Sequence, residues 1–259
     1  MEALIHLHIL ASGSKGNATV VEGPDGMVLL DCGISRKQVF LRAEELGLDL
    51  GRVRAVFITH EHSDHVSGLP VFAKTFGGEI YTTEGTACER SSLESVAFTH
   101  IGHDDELCVA GMRVRTFPTS HDVADPFGLH FLVQDGRGEV LDSVGWCTDT
   151  GYLTERAFEE LRGCRLLGLE SNHDVRMLAE GPYPAALKAR VKGERGHLSN
   201  DQCAESLGRL VTGQTSTVIA LHISEKNNLP SIAKAAISQV VPSRVTVLAA
   251  GQNRPMTVW

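Results

Sequence analysis

Apolar residues along this chain gather in short runs separated by glycine, proline and charged clusters. Nine runs have the length and spacing of strands. They lie at 4–10 (LIHLHIL), 18–22 (ATVVE), 27–31 (MVLLD), 54–59 (RAVFIT), 113–118 (RVRTFP), 128–134 (GLHFLVQ), 166–170 (LLGLE), 216–222 (STVIALH) and 244–249 (RVTVLA). Helices are predicted between them. Ser35 with Gln38 reads as a capping box opening a helix to about Leu46, and Ser199 with Gln202 opens another to about Val211. Pro230 stands where a first helical residue belongs and starts a helix to about Val240. The first half is rich in strands and turns, and the second half alternates strand with helix. The expectation is an α/β layered fold, mixed sheets flanked by helices. No repeat, low-complexity tract or Pro/Ser-rich linker breaks the pattern, so residues 1–259 are expected to form a single domain.

Ligand-type side chains fall at the ends of these runs. Asp31 ends one strand, His60 follows another, and His121 follows RTFPTS. Asp149 follows the apolar-rich VLDSVGWCT, and His222 ends STVIALH. Loops at strand ends carry chemistry while the strands hold it rigid. The densest stretch is THEHSDHVSG, which places His60, His62, Asp64 and His65 within one turn. Imidazole and carboxylate bind Zn, Mn or Fe. In this spacing the alternate histidines can face one ion while Asp64 and His65 face a second. A metal-free burial of the same groups would be costly, because clustered imidazoles repel when protonated and buried polar groups need partners.

Composition narrows the setting. At 42% hydrophobic the chain can bury a substantial core without help from a metal. No run approaches the ~18 apolar residues of a membrane span, and MEALIHLHIL lacks the basic start and small-residue cleavage site of a signal peptide. The six scattered cysteines form no CxxC pair and suit free thiols in a reducing cytoplasm. A formal net charge of −8 counts against a broad basic nucleic-acid surface. Bound cations would still supply positive charge where a phosphate sits.

The histidine-rich turn resembles the signature of the metallo-β-lactamase fold. The other motifs follow in order: TSHD with His121, CTDTG with Asp149 and ALHIS with His222. The resemblance spans nearly the whole chain and implies an αββα sandwich with two divalent ions at one edge. By that resemblance one ion takes His60, His62 and His121, the other takes Asp64, His65 and His222, and Asp149 bridges them. LLDCG matches a strand-end Asp-x-Gly, which makes Asp31 a partner that orients ligand histidines. SGSKGN, ESNHD, GHLSN and HISEKNNLP together resemble the YycJ (VicX, WalJ) subfamily, which implies 5′→3′ DNA exonuclease activity and a part in bacterial DNA repair. Residues between Asp149 and His222 are too few for a β-CASP insertion.

Two ions sharing a water lower its pKa towards neutrality, and the resulting hydroxide is the expected nucleophile. Asp64 is placed to orient it. Related phosphodiesterases carry a histidine at the position of His197, which implies a general acid or phosphate clamp there. Ser14 and Asn17 are candidate phosphate contacts. The glycine-rich turn around them reads equally as an anion cradle or as a hairpin that needs flexible residues. Glu170 and His173 either line the site or buttress it. Lys192, Arg195 and Lys226 can steer a polyanion, although solvated charge explains each of them too. The leading expectation is a dinuclear phosphodiesterase acting on nucleic acid, DNA in the first place. One alternative is hydrolysis of a small cyclic phosphodiester. The other is a non-catalytic regulatory or binding protein stabilised by metal.

Overall fold

The computed structural model describes residues 3–259. The first half begins with β1 (His6–Ala11), β2 (Ala18–Gly23) and β3 (Gly26–Leu30), an antiparallel meander. α1 (Arg36–Glu45) leads to β4 (Val53–Phe57), then come α2 (Ser63–Val66), α3 (Leu69–Ala73), β5 (Glu79–Thr82), α4 (Glu84–Glu89) and β6 (Thr99–His100). From β3 to β6 neighbouring strands are parallel.

The second half opens with an antiparallel run of β7 (Glu106–Val109), β8 (Met112–Pro118), β9 (Phe127–Gln134) and β10 (Val140–Cys147). It continues through α5 (Glu155–Leu161), β11 (Leu166–Glu170), α6 (Val175–Glu180), α7 (Ala185–Val191) and α8 (Asn200–Leu210). β12 (Thr217–Leu221), α9 (Pro230–Ser238) and β13 (Thr246–Ala249) complete it, with β11, β12 and β13 added in parallel beyond β10. β14 (Met256–Val258) returns to the first sheet and pairs antiparallel with β1. The two seven-stranded sheets run β14-β1-β2-β3-β4-β5-β6 and β13-β12-β11-β10-β9-β8-β7.

Three apolar layers hold these pieces together. Leu7, Ile9, Val28 and Phe57 of the first sheet meet Val114, Leu129, Phe131 and Trp146 of the second between the sheets. The opposite face of the first sheet packs Val20, Leu29 and Val56 against Val39, Ala43 and Phe72 of α1 and α3. The outer face of the second sheet packs Leu167, Leu169 and Val218 under Leu161, Leu207 and Ile237 of α5, α8 and α9. The result is helix, sheet, sheet, helix, the αββα arrangement. Each fully buried Leu, Val or Phe contributes roughly 1.5–3 kcal/mol by leaving water.

The sequence expectations need adjusting in two places. β10 is a full strand where the sequence pattern offers only an apolar approach to Asp149, because Asp142 and Ser143 interrupt it. Asp142 is 4% exposed yet satisfied: Oδ2 accepts from the Leu4 and Ile5 N–H groups at 2.7 and 2.9 Å, and Oδ1 from Arg165 at 2.5 Å. At the start of α1, Ser35 accepts from the Gln38 N–H, but Gln38 turns to accept from Arg42 and leaves the box half made. The Ser199 box is complete.

Candidate metal centre

Six strand ends deliver the polar residues to one edge. β3 and β4 are parallel neighbours in the first sheet. β8 and β10 share a direction because β9 is antiparallel to both, and β11 and β12 follow β10 in parallel. Asp31, His60, His121, Asp149 and His222 follow β3, β4, β8, β10 and β12, and Glu170 ends β11. Phe127 N–H donates to the Thr59 carbonyl at 3.3 Å and ties the sheets together there. Asp31, Asp149 and His222 adopt left-handed backbones, with φ of 56°, 53° and 49°. Such positions cost on the order of 1 kcal/mol or more and persist where the surroundings enforce them. Gly33 and Gly68 allow the β3–α1 loop to press on α2. A Cβ at Gly33 would stand 1.6 Å from the Asp64 carbonyl oxygen, and one at Gly68 would stand 1.9 Å from that of Ile34.

The histidines are oriented from behind. His65 Nδ1 lies 2.8 Å from Asp31 Oδ2, while Asp31 Oδ1 accepts from the Thr59 N–H at 2.9 Å. His121 Nδ1–H donates to the Gly196 carbonyl at 3.0 Å, and His222 Nδ1–H to Glu170 Oε1 at 2.9 Å. These bonds hold each Nδ1 from behind and turn each Nε2 inwards, the orientation a ligand histidine needs once that nitrogen is free of its proton. Ligand atoms of His60, His62 and His121 lie within 4.8 Å of one another, as do those of Asp64, His65 and His222, and those of His60, His65 and Asp149. His62 Nδ1 and His121 Nε2 are 3.2 Å apart, and His222 Nε2 and Asp64 Oδ2 are 3.3 Å apart. Asp149 reaches both groups: Oδ2 is 3.2 Å from His65 Nε2, and Oδ1 is 3.7 Å from His121 Nε2.

Burial and charge divide the imidazoles into two kinds. Burial holds His60 well below the ordinary histidine pKa and His121 down at about 4, so both are neutral. For His65 burial is outweighed by Asp31, Asp149 and Asp64, and its pKa rises well above the ordinary value. For His222 burial is likewise outweighed, by Asp149, Asp64 and Glu170. Burial opposes ionisation of Asp64 and Asp149, but the surrounding histidines keep both carboxyls below the usual range.

The remaining sequence candidates fall into different roles. His197 stands between α7 and α8, its ring 4.9 Å from that of His121 and 5.3 Å from that of His222. Its Nδ1–H donates to Glu170 Oε1 at 2.8 Å. Burial would lower its pKa, but the Glu170 carboxylate outweighs burial and raises it. Ser14 lines the central cavity of about 190 Å³. Asn17 lies beneath it at 6% exposure, with Oδ1 accepting from the Gly13 N–H and Nδ2 2.9 Å from His65 Nε2. The turn is not an open anion cradle: the N–H groups of Gly13, Lys15, Gly16 and Asn17 are all taken by protein acceptors. Arg195 is likewise engaged, donating to the carbonyls of His121 and Val123.

Glu170 is the residue whose part the sequence left open. It is fully buried and accepts four hydrogen bonds, from His197, His222 and the N–H groups of Thr150 (3.0 Å) and Leu198 (3.2 Å). Burial opposes its charge, but His197 and His222 hold its pKa down at about 2. The signal was the acid closing LLGLE, a polar residue where a buried strand ends. Asp122, Asn172, Tyr183 and Arg190 also line the cavity and were not singled out. Asp122 sits inside the TSHD motif, 3.6 Å from His121 Nε2, and pairs with Arg190.

The centre fits divalent metal. His60 Nε2 is buried with no hydrogen-bond partner, an expensive condition unless a cation takes its lone pair, and Asp149 Oδ2 has only the His65 ring at 3.2 Å against its charge. The donors are imidazole and carboxylate throughout, the set favoured by Zn, Mn and Fe.

Comparison with known proteins agrees with this geometry. Residues 27–223 match the family described as beta-lactamase superfamily domain. An exodeoxyribonuclease YycJ of Bacillus anthracis is 30% identical over 246 residues, which covers 93% of this chain and 90% of that protein. An exodeoxyribonuclease WalJ of Streptococcus pneumoniae is 32% identical over 231 residues, 87% of this chain and 84% of the relative. Zn(2+)-bound PqqB from Methylobacterium extorquens superposes with a TM-score of 0.70 at 16% identity, covering 98% of this chain and 99% of that one, which shows a shared fold. With its αββα layers and its ring of histidines and carboxylates, the chain belongs to the beta-lactamase superfamily and, within it, with the YycJ and WalJ proteins.

Proposed function

We propose that this chain is a metal-dependent phosphodiesterase that removes nucleotides from DNA in the 5′→3′ direction, working as a single domain without a β-CASP insertion. Two divalent ions are proposed, Zn or Mn, with Fe compatible with the same donors. His60, His62 and His121 would hold one, Asp64, His65 and His222 the other, with Asp149 shared. When bound, the ions polarise a phosphoryl oxygen and acidify water.

The residues of the chain do the rest. Asp64, which the Asn17 amide reaches at 3.4 Å, accepts a hydrogen bond from the attacking water and aims it. His197 carries a proton for the leaving oxygen. Its Nδ1–H is fixed on Glu170, its pKa is raised, and it lines the cavity over the ligand cluster. This Glu170–His197 pair is the observation that supports the reading most strongly, since a purely structural metal site has no use for a braced acid. Arg190 and Ser14 line the same cavity and are offered as contacts for a phosphate. Four cysteines are buried and none is paired, which suits a cytoplasmic protein.

The test uses metal-loaded protein on a 5′-phosphorylated oligodeoxynucleotide and on bis-p-nitrophenyl phosphate. Asp64→Ala should abolish turnover of both. His197→Ala should slow the oligonucleotide by about 10²–10⁴-fold, the usual worth of a general acid. The small diester should suffer far less, because p-nitrophenolate leaves without protonation. Equal losses on both substrates would remove His197 from the acid role. Turnover of the small diester with none of DNA would favour a small phosphodiester as substrate, a reading that the 190 Å³ cavity accommodates.

A further inference from the structure

The central cavity holds about 190 Å³, enough for a phosphodiester group but below the ~300 Å³ at which ligand pockets begin. The bases of a bound strand must therefore rest elsewhere. A second cavity of about 500 Å³ opens on the other side of α7. The helix is a shared wall. Leu187, Arg190 and Val191 face the metal centre, while Ala185, Lys188, Ala189 and Lys192 recur at i, i+3, i+4 and i+7 along the second cavity. The same division runs through the segments behind it. Asn172 and His197 face the metal centre, and His173 and Ser199 face the second cavity.

Its lining chemistry suits a flat heteroaromatic ring. Val175 and Leu178 of α6 and the small side chains of Ala185 and Ala189 of α7 make its lining largely apolar. At the floor His173 is only 2% exposed, and its Nδ1 has no hydrogen-bond partner. Burial keeps this ring neutral, so it offers one N–H and one lone pair. At the rim Lys192 forms no ion pair among the described residues, and Lys188 leans on the Ala179 carbonyl. Apolar walls, a neutral two-way hydrogen-bonding group and a cationic rim match a heteroaromatic base attached to a phosphate.

We infer that this cavity is a nucleobase subsite, filled by a base of the bound strand some way along from the scissile phosphate. The inference rests on the proposed phosphodiesterase reading. A helix with its side chains is about 10 Å across, so at the ~3.4 Å rise of a stacked strand the base lies about three nucleotides from the reacting phosphate.

The experiment fills the slot from its solvent side with Ala189→Trp. Oligodeoxynucleotides of six residues should show a KM raised about tenfold or more, as expected when a stacked base is displaced. A dinucleotide, too short to reach, and bis-p-nitrophenyl phosphate should be turned over as by the wild type. His173→Ala should reproduce the length-dependent rise. An unchanged hexamer KM in a variant that still hydrolyses the small diester overturns the inference, and so does an equal penalty on the dinucleotide. If the wild type leaves DNA untouched, the phosphodiesterase reading has failed for DNA, and calorimetry with dAMP decides the subsite by itself. Binding lost in Ala189→Trp but kept in Asp64→Ala supports a site for free mononucleotide, and absence of such binding overturns it.

Discussion

Replacing Glu170 by glutamine tests the scaffold behind the metal centre with almost no change of shape. The carboxylate accepts from His197 and His222 through one oxygen and from the Thr150 and Leu198 N–H groups through the other. An amide has one acceptor and one donor end. With its oxygen on the backbone, its NH₂ confronts two ring N–H groups. Both rings would have to move their proton to Nε2, which removes the inward lone pair of His222 and the positive charge of His197. With the amide reversed, two buried backbone N–H groups meet a donor instead. Each orientation forfeits two charge-assisted hydrogen bonds of ~1.5–3 kcal/mol. Outer partners of ligand histidines typically carry 10–100-fold in metal affinity or activity, about 1.4–2.8 kcal/mol at 1.4 kcal/mol per decade. We expect Mn or Zn binding in Glu170→Gln, measured by calorimetry with elemental analysis, to weaken by about 10–100-fold. Oligonucleotide cleavage should fall further than cleavage of bis-p-nitrophenyl phosphate. A variant with native circular dichroism, wild-type metal affinity and wild-type rates would refute this account of Glu170.

Other outcomes follow from the same geometry. Gly33→Ala drives a methyl into the Asp64 carbonyl, so it should cost about 1–3 kcal/mol in thermal or urea unfolding. A 1 Å shift of Asp64 would lower turnover about 100-fold, and unchanged activity would show that the loops can part without harm. Because His65 and His222 have raised pKa values, they carry protons at neutral pH before a cation arrives. Metal binding must displace those protons, so affinity should strengthen as pH rises, and calorimetric heats should vary with the buffer's ionisation enthalpy. Heats independent of buffer would contradict this. Burial pushes the Cys32, Cys164 and Cys203 thiols up to about 12 and Cys147 up as well, whereas Cys88 and Cys108 are exposed. A thiol reagent should therefore label Cys88 and Cys108 rapidly in the native protein and the other four cysteines only after denaturation.

Much of this was legible in the chain because the informative signals are local. Strand runs such as MVLLD and STVIALH carry their own apolar pattern, and THEHSDHVSG gathers its ligand-type side chains within a single turn. β10 escaped because its buried Asp142 is satisfied by Leu4, Ile5 and Arg165, partners distant in sequence. The role of Glu170 stayed open for the same reason: its four donors come from three separate segments. The glycine turn was ambiguous because sequence shows that backbone N–H groups exist but not what they already hold. The part of His173 stayed open too, since facing one cavity or the other depends on α7 lying between them.

The left-handed backbones at Asp31, Asp149 and His222 have a consequence for how such a protein changes over generations. Glycine fits each of those corners without steric strain, so exchanging the proposed ligand or its partner for hydrogen relaxes the local backbone at the moment it removes the side chain. If these side chains serve turnover as proposed, local backbone strain pulls the other way, and selection for activity is what holds them in place.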